Sequence, residues 1–399
     1  MNNSGQPSVV ITSNQYRPNI GGIENSLYHL AQEYRAMGYQ VIIVTSDLNP
    51  DNSTLPELEE EQGVRIYRYR SCQGTGAFGF IKHINNAYRV YKKVLSLYSP
   101  DFTVCRFHFN LLILKYAGYK NIVYLVPGVV KNETRASYQV ETTLTRRIKS
   151  GLSFSLHKVM QYFATKFTDQ LFVFSENMRE QVLTISSLNN IKICKPGVSL
   201  ERFQICDEKE KANLKLALGL DANRKAFLCI GRFVKAKGFE TAIKAFAELR
   251  HDSAQLWMLG EGPLEAEFKV LVAELGVEDK VLFLGKQAQP EAYYKAADFF
   301  IMSSTYEPLG QTILEALASG LPIVAAHSGP QVVTATSEIL TDSDNLLCSE
   351  YSTSHFGEQF TECMNMTSDR YLKIQKSNRN LAETRFSWFK LAEDLRHHV

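Results

Sequence analysis

The chain reads as a doubly wound α/β protein with two parallel-sheet domains in tandem. Three observations lead there. Its 399 residues exceed one typical domain and suit two of about 150–200 residues each. Short apolar, β-branched runs alternate with segments of helical periodicity along its whole length. That alternation breaks near Lys195–Lys211, "KPGVSLERFQICDEKEK", where Pro, Gly and a charge run intervene. The expected domains are residues 1–200 and 201–380.

In order, "SVVIT" (Ser8–Thr12) is a strand, and "GGIENSLYHLAQEYRAMG" is a helix with Ile23, Leu27, Leu30, Ala31 and Tyr34 on one face. "YQVIIVTS" (Tyr39–Ser46) is a continuous apolar run, as expected of a strand covered on both faces. "GVRIYRYR" (Gly63–Arg70) alternates like a half-exposed strand, and "NIVYLVPG" (Asn121–Gly128) is apolar again. "DQLFVFSENMREQVLT" repeats the strand-to-helix step, turning at Ser175. Around Leu228 the scheme restarts with the strand "AFLCIGR" and the amphipathic helix "GFETAIKAFAELR". "AQLWMLGEGPLEAEFKVLVAELG" is strand, turn and helix; "KVLFLG", "DFFIMSS" and "LPIVAA" are further short strands.

Composition excludes several classes. Hydrophobic residues at 45% and charged residues at 22% describe an ordinary globular protein. No run approaches the roughly 20 apolar residues that span a bilayer, and the N-terminus lacks the pattern of a secretory signal. Seven scattered cysteines, never at metal-ligand spacing, point to a reduced, cytoplasmic setting. The net charge of +2 hides an asymmetry: residues 1–200 hold 22 Lys/Arg against 14 Asp/Glu, and the remainder is acidic. Ten of those basic residues fall in Phe102–Gln170, against three acids. An anionic partner suits that half, although a merely solvated basic surface explains it equally. Nucleic acid is not expected, because no recognition motif accompanies the charge.

Three stretches carry candidate chemistry. In "CIGRFVKAKGFETA", Arg232 leaves a strand, Lys237 follows five residues later and Gly238 opens a helix. A helix start offers unpaired N–H groups to anions, and a guanidinium with an ammonium beside it suits a pyrophosphate. In "STYEPLGQTILEALASGLPIVAA" (Ser304–Ala326), Pro308 and Gly310 keep the backbone out of helix until about Gln311, and Gly320-Leu321-Pro322 ends the helix near Ser319. Glu307 is then a loop residue, while Glu315 lies about one turn inside the helix. A plain helix reading leaves Glu315 facing solvent, but among Leu314, Ala316 and Leu317 an unpaired carboxylate is costly. "RPNIGGIENS" (Arg17–Ser26) has a Gly-Gly turn that could meet a phosphate, without the Gly-x-Gly-x-x-Gly spacing of a dinucleotide site. "GEGPLE" (Gly260–Glu265) reads as structural.

Taken in order, these stretches resemble the retaining GT-B glycosyltransferases, specifically glycosyltransferase family 4 (glycosyl transferases group 1), over nearly the whole chain. "GGIENSLYHLAQEYRAMGYQVIIVTS" is similar to the family's opening, "GRFVKAKGFETAIKAF" to its diphosphate loop, and "VLFLGKQAQPEAYYKAADFFIMSSTYEPLGQTILEALASGLPIVAA" to its Glu-x7-Glu signature region. The resemblance implies two Rossmann-like domains facing a cleft, an acceptor-side one first and a nucleotide-sugar-binding one second. It implies a terminal helix over residues 381–399 returning to the first domain, with Trp388 and Phe389 packing there. By the same resemblance, Arg232 and Lys237 would hold the donor diphosphate, with Gly22 approaching it from the first domain, and Glu315 would bind the ribose. Glu307 would contact the donor sugar, helped by the backbone at Leu309, Gly310 and Gln311, and Gly285 and Lys286 would lie beside the base. Glu307 is the residue to name as catalytic, in a positioning role.

The implied reaction moves a sugar from a nucleoside-diphosphate donor, of UDP or GDP type, to a glycan or lipid-linked acceptor of envelope polysaccharide or lipopolysaccharide synthesis. Anomeric configuration is retained, with no metal and no cofactor. Charge on the leaving diphosphate must be stabilised, and the departing phosphate can accept the nucleophile's proton. Two departures stand out. Pro127-Gly128 occupies the place of the family's strand-end His, for which His108 is a substitute candidate; Pro196-Gly197-Val198-Ser199 replaces Asn-Gly-Val-Asp. The basic, partly amphipathic "TRRIKSGLSFSLHKVMQYFATKF" (Thr145–Phe167) is a candidate contact with anionic membrane, which would place the enzyme at the membrane's inner face. The alternatives are a nucleotide-sugar epimerase on the same scaffold and a non-catalytic sugar-binding relative.

Overall fold

The computed structural model describes residues 6–19, 21–49, 53–72, 76–130, 144–186, 188, 190–341 and 343–397, with side chains at 76–77 and 144–153 left out. The chain forms two compact units. One takes the chain up to Gly197 together with the last helix from Trp388; the other runs from Val198 to Ser387.

The first unit starts with β1 (Ser8–Thr12), α1 (Gly22–Ala36), β2 (Gln40–Ser46), β3 (Leu58–Glu61), β4 (Val64–Tyr69) and α2 (Gly76–Tyr98). β5 (Phe102–Cys105), α3 (His108–Ala117), β6 (Ile122–Leu125), α4 (Leu144–Phe167), β7 (Gln170–Val173), α5 (Glu176–Leu183) and β8 (Ile191–Ile193) follow. The eight strands lie in the order β3-β4-β2-β1-β5-β6-β7-β8, parallel except for the β3–β4 hairpin. β1, β5 and β6 are buried along their full length, as strands covered on both faces must be. β4 departs from the expected alternation: Tyr67 and Arg68 are buried, because β3 pairs alongside and Glu59 meets the Arg68 guanidinium at 2.6 Å.

The second unit has α6 (Glu208–Ala217), β9 (Lys225–Ile230), α7 (Phe239–Leu249), β10 (Ala254–Leu259), α8 (Glu265–Glu274), β11 (Val281–Gly285), α9 (Glu291–Ala296) and β12 (Phe299–Met302). Then come the two-residue β13 (Tyr306–Glu307), α10 (Gln311–Ala318), β14 (Ile323–Ala326), β15 (Val333–Thr334), α11 (Thr336–Ile339), β16 (Leu346–Cys348), α12 (Thr353–Met364) and α13 (Ser368–Arg385). Its main sheet is wholly parallel, in the order β11-β10-β9-β12-β14-β16, so strand order reverses between β9 and β12. Apolar clusters pack on its two faces, one around Trp257, Phe300 and Leu317, the other around Phe227, Phe299 and Phe360. Both units are therefore Rossmann-like parallel sheets, the α/β architecture expected from the alternation.

The charge run at Asp207–Lys211 is not all linker. Asp207 caps α6, accepting from the Glu210 N–H at 2.8 Å. Lys211 and Lys215 turn inward from α6 onto Asp298, at 3.2 and 2.7 Å, and Asp298 also accepts from the Ala226 N–H. Burial alone would raise the Asp298 pKa, but the two ammonium groups hold it below its usual value.

The last helix, α14 (Trp388–Arg396), packs on α1 within the first unit: Trp388 stacks on His29, and the Tyr34 hydroxyl donates to the Ala392 carbonyl at 3.1 Å. Trp388 is a packing residue as expected, whereas Phe389 is exposed, since the helix turns that position away from α1. Gly197 abuts Trp388 so closely that a Cβ there would collide with the indole. No helix among the described residues is long and apolar enough to cross a membrane.

Removing one member of a buried ion cluster leaves an unpaired charge in the interior. Asp298→Ala should therefore cost the second unit about 3–5 kcal/mol, read as a lowered midpoint in urea unfolding, with Asp298→Asn costing less.

Candidate active site

Open parallel sheets take ligands outside the carboxyl ends of their strands, at the point where strand order reverses. In the second unit that point is flanked by the segments after Ile230 of β9 and Met302 of β12. After β9 the chain passes Gly231 and the exposed Arg232, makes a single 3₁₀ turn at Lys235–Lys237 and enters α7. Backbone bonds tie this turn to the segment after β12. The Thr305 N–H donates to the Ala236 carbonyl, and the Ser303 hydroxyl donates to the Lys237 carbonyl, each at 2.9 Å. Gly238 holds a left-handed conformation (φ +62°), and a Cβ there would strike the Ser303 carbonyl and the Tyr351 hydroxyl. Only glycine meets both demands.

That junction sets Lys237 against Glu307, and the ammonium pairs with Oε2 of the carboxylate. Glu307 is not in a loop as expected: it occupies β13, paired with β15, and its carbonyl accepts from the Ala335 N–H at 3.0 Å. A strand two residues long is too short for sequence periodicity to reveal. The other carboxylate oxygen faces the Gly310 N–H at 3.4 Å. Gly310 caps α10 in a left-handed conformation (φ +72°), and the helix begins at Gln311 as expected. Cation, carboxylate and helix start thus converge at the sheet's switch point, and Leu309, just before Gly310 in sequence, is half-buried.

Glu315 stands apart from this group. It is the fifth residue of α10, and its Oε2 accepts from the Tyr294 hydroxyl at 2.8 Å, the partner that its apolar surroundings call for. Burial pushes its pKa up to about 7, only partly offset by the Tyr294 bond and by Arg202, while Glu291 adds to the rise. Arg202 is itself paired with Glu291 at 2.8 Å.

Gly285 ends β11 with φ +66°, and its carbonyl accepts from the Gly260 N–H at 2.9 Å; Lys286 beside it is exposed. Gly260 and Gly262 have the structural role expected of "GEGPLE". Phe233 N–H donates to the Glu261 carbonyl at 2.9 Å, and a Cβ on Gly262 would lie 2.6 Å from the Phe233 backbone. This loop buttresses the turn that carries Arg232.

The two candidates of the first unit lie at the carboxyl side of its own sheet. Gly22 is the exposed first residue of α1. His108 is buried, its Nε2 in a 2.8 Å hydrogen bond with Nδ1 of His157, and burial drives its pKa down to about 3. It is a neutral packing residue on α3. Next to Pro127, the Gly128 carbonyl accepts from Gln161 Nε2 at 2.7 Å. Sequence reasoning missed Tyr294, Ser303 and Tyr351. Their roles arise from tertiary approach, and no local motif signals them. Among the described residues no cluster of His, Cys, Asp or Glu could hold a metal ion.

The convergent groups of the second unit lie at a parallel-sheet switch point, where such sheets take their ligands. Residues 210–381 match the glycosyl transferases group 1 family. The α-monoglucosyldiacylglycerol synthase of Streptococcus pneumoniae is 28% identical over 328 residues, covering 79% of this chain and 70% of that protein. Sucrose-phosphate synthase from Thermosynechococcus elongatus superposes with a TM-score of 0.81 at 19% identity, over 98% of both chains. The HepE protein of Anabaena, solved with UDP and glucose, gives a TM-score of 0.74 at 16% identity, again over 98% of both. Residues 210–381 thus form a glycosyl transferases group 1 domain, and the chain has the GT-B fold of the glycosyltransferases it resembles. The epimerase alternative receives no support.

A carboxyl whose folded pKa exceeds its unfolded value stabilises the fold fully below the unfolded pKa and loses that contribution as pH rises through the folded one. For Glu315 the window runs from the ordinary carboxyl value of 4.5 to about 7. Glu315→Gln should therefore be more stable than the parent at pH 8, by on the order of 1–3 kcal/mol, with a correspondingly higher melting temperature. The gap should close in melts run at or below the lower end of that window.

Proposed function

We propose that the enzyme transfers a sugar from a UDP- or GDP-sugar to a glycan or lipid-linked acceptor of the cell envelope, with retention of anomeric configuration. The observation that carries this reading is the convergence of Lys237, Glu307 and the start of α10 at the switch point, with Glu315 one turn further on. Arg232 and Lys237 bind the donor diphosphate, Arg232 with a forked donor set and Lys237 as a point charge.

Glu307 accepts hydrogen bonds from the sugar hydroxyls, and the N–H groups around Leu309–Gln311 complete that end. Ionised Glu315 accepts from the ribose hydroxyls. Gly285 and Lys286 flank the base. In the transition state negative charge grows on the leaving diphosphate, and fixed cations stabilise it more than they stabilise the bound donor. The acceptor hydroxyl attacks the anomeric carbon on the face the diphosphate leaves, a C–O bond forms as the phosphate–sugar bond breaks, and the departing phosphate takes the proton. No protein nucleophile is needed, which makes Glu307 a sugar-positioning group. UDP and glucose in the Anabaena relative favour the uridine donor, and the pneumococcal relative's glycolipid name favours a lipid-linked acceptor.

A hydrolysis and thermal-shift screen over UDP-, GDP- and ADP-sugars should single out a UDP- or GDP-sugar. Lys237→Ala and Glu307→Ala should each lower turnover about 100-fold or more while the melting curve stays cooperative. Near-parental turnover in either variant would sink the assignment. Donor incubated without acceptor should yield only slow hydrolysis, and a new sugar isomer would revive the epimerase.

A further inference from the structure

α4 has two unlike faces. Its inner side is buried at Gln161, Ala164 and Thr165, and it packs on α3. Leu156, Val159, Phe163 and Phe167 follow at spacings of three and four, yet all four are exposed, Val159 at 51%. A stripe of that period normally faces a core. Here it faces outward, and Lys158 and Lys166 are exposed alongside it. Between Thr142 and Thr168 the sequence has five Lys/Arg and no Asp or Glu.

The stripe does not end with α4. Phe80 at the start of α2 lies 5.8 Å from Phe109, Phe109 lies 6.3 Å from Phe107, and Phe107 lies 6.3 Å from His157 of α4. This chain of rings links the first turn of α2 to the middle of α4 through the start of α3. That turn exposes Phe78 at 77% and Ile81 at 63%, with Lys82 next in sequence. Scattered exposed hydrophobics need no explanation, but two apolar helix faces on either side of α3, each with lysines beside it, mark an interaction surface.

We infer that the outer face of α4 and the first turn of α2 form a docking surface for anionic lipid headgroups. Charge decides the occupant. A bilayer offers acyl chains to the apolar stripe and phosphates to the lysines, and such contacts add at roughly 1 kcal/mol per Lys/Arg. A second copy of the same face would set lysine against lysine with no acid on the helix to relieve them. This deepens the acceptor reading above, on which it rests, by naming the surface that brings the enzyme to a lipid-linked acceptor.

The test uses the full chain with vesicles of phosphatidylcholine, with and without about a third phosphatidylglycerol, and donor hydrolysis measured on the same samples. The parent should sediment with the anionic vesicles, release as salt is raised, and ignore the neutral ones. Lys158→Glu/Lys166→Glu and Ile81→Glu/Val159→Glu should each weaken binding about tenfold or more, with donor hydrolysis unchanged. Equal binding to neutral vesicles, no vesicle binding, or variants that bind like the parent would overturn the surface. So would a parent dimer that Ile81→Glu/Val159→Glu splits into monomers. A chain that docks yet hydrolyses no nucleotide-sugar would instead count against the transfer reading alone.

Discussion

The site of the second unit depends on two backbone segments that lie closer than a side chain allows. Gly238, entering α7, abuts Ser303, leaving β12, and the Ser303 and Thr305 bonds to Lys237 and Ala236 close the junction. Neither segment has regular structure enough to fix itself: one is a single 3₁₀ turn, the other leads into a two-residue strand. Their mutual approach gives Lys237 a defined position. From there the Lys237–Glu307 pair, the β13–β15 bridge and the start of α10 follow in succession. A methyl group at position 238 would disturb all of them through one contact.

The two glutamates of the signature differ in physical state. Glu307 is held by a full cationic partner and a backbone N–H. Glu315 has one hydroxyl and apolar neighbours, so its charge is marginal near neutrality. In the proposed reaction that difference is useful. A carboxylate already committed to an ion pair is well placed to orient a sugar, because its geometry is set before substrate arrives. A half-titrated carboxylate gains most from new donors, so ribose hydroxyls would draw Glu315 into its ionised form. Nucleotide binding is then coupled to proton release.

Much of this was legible in the sequence. Continuous apolar runs gave the parallel strands, and Pro308, Gly310 and Gly320 placed the helix between them to within a residue. Glu315, set among leucines and alanines, announced the need for a partner, but Tyr294, which answers it, is 21 residues away and carries no local signal. The same limit hid β13, whose pairing with β15 is a tertiary event. It also hid the inward turn of Lys211 and Lys215, since a charge run normally lies on a solvated surface. The outward apolar face of α4 was blurred for another reason: periodicity reveals a stripe but not which side of the helix the protein covers.

The buried Lys211–Asp298–Lys215 cluster bears on function through β12. That strand has four residues, with Asp298 just before its first and Ser303 just after its last. At the amino end, Asp298 receives two ammonium groups and the Ala226 N–H, which fixes where β12 starts against β9. At the carboxyl end, Ser303 meets Gly238. So short a strand has few ladder bonds of its own to resist sliding, and a shift of one residue would turn every side chain to the other face. The ion cluster supplies the missing restraint. Because it lies at the far end from the switch point, its charges hold register without competing with Lys237 and Arg232 for an anionic ligand. Stability and chemistry are thereby assigned to opposite ends of one strand, and the rigid element between them keeps the turn bearing Lys237 in place.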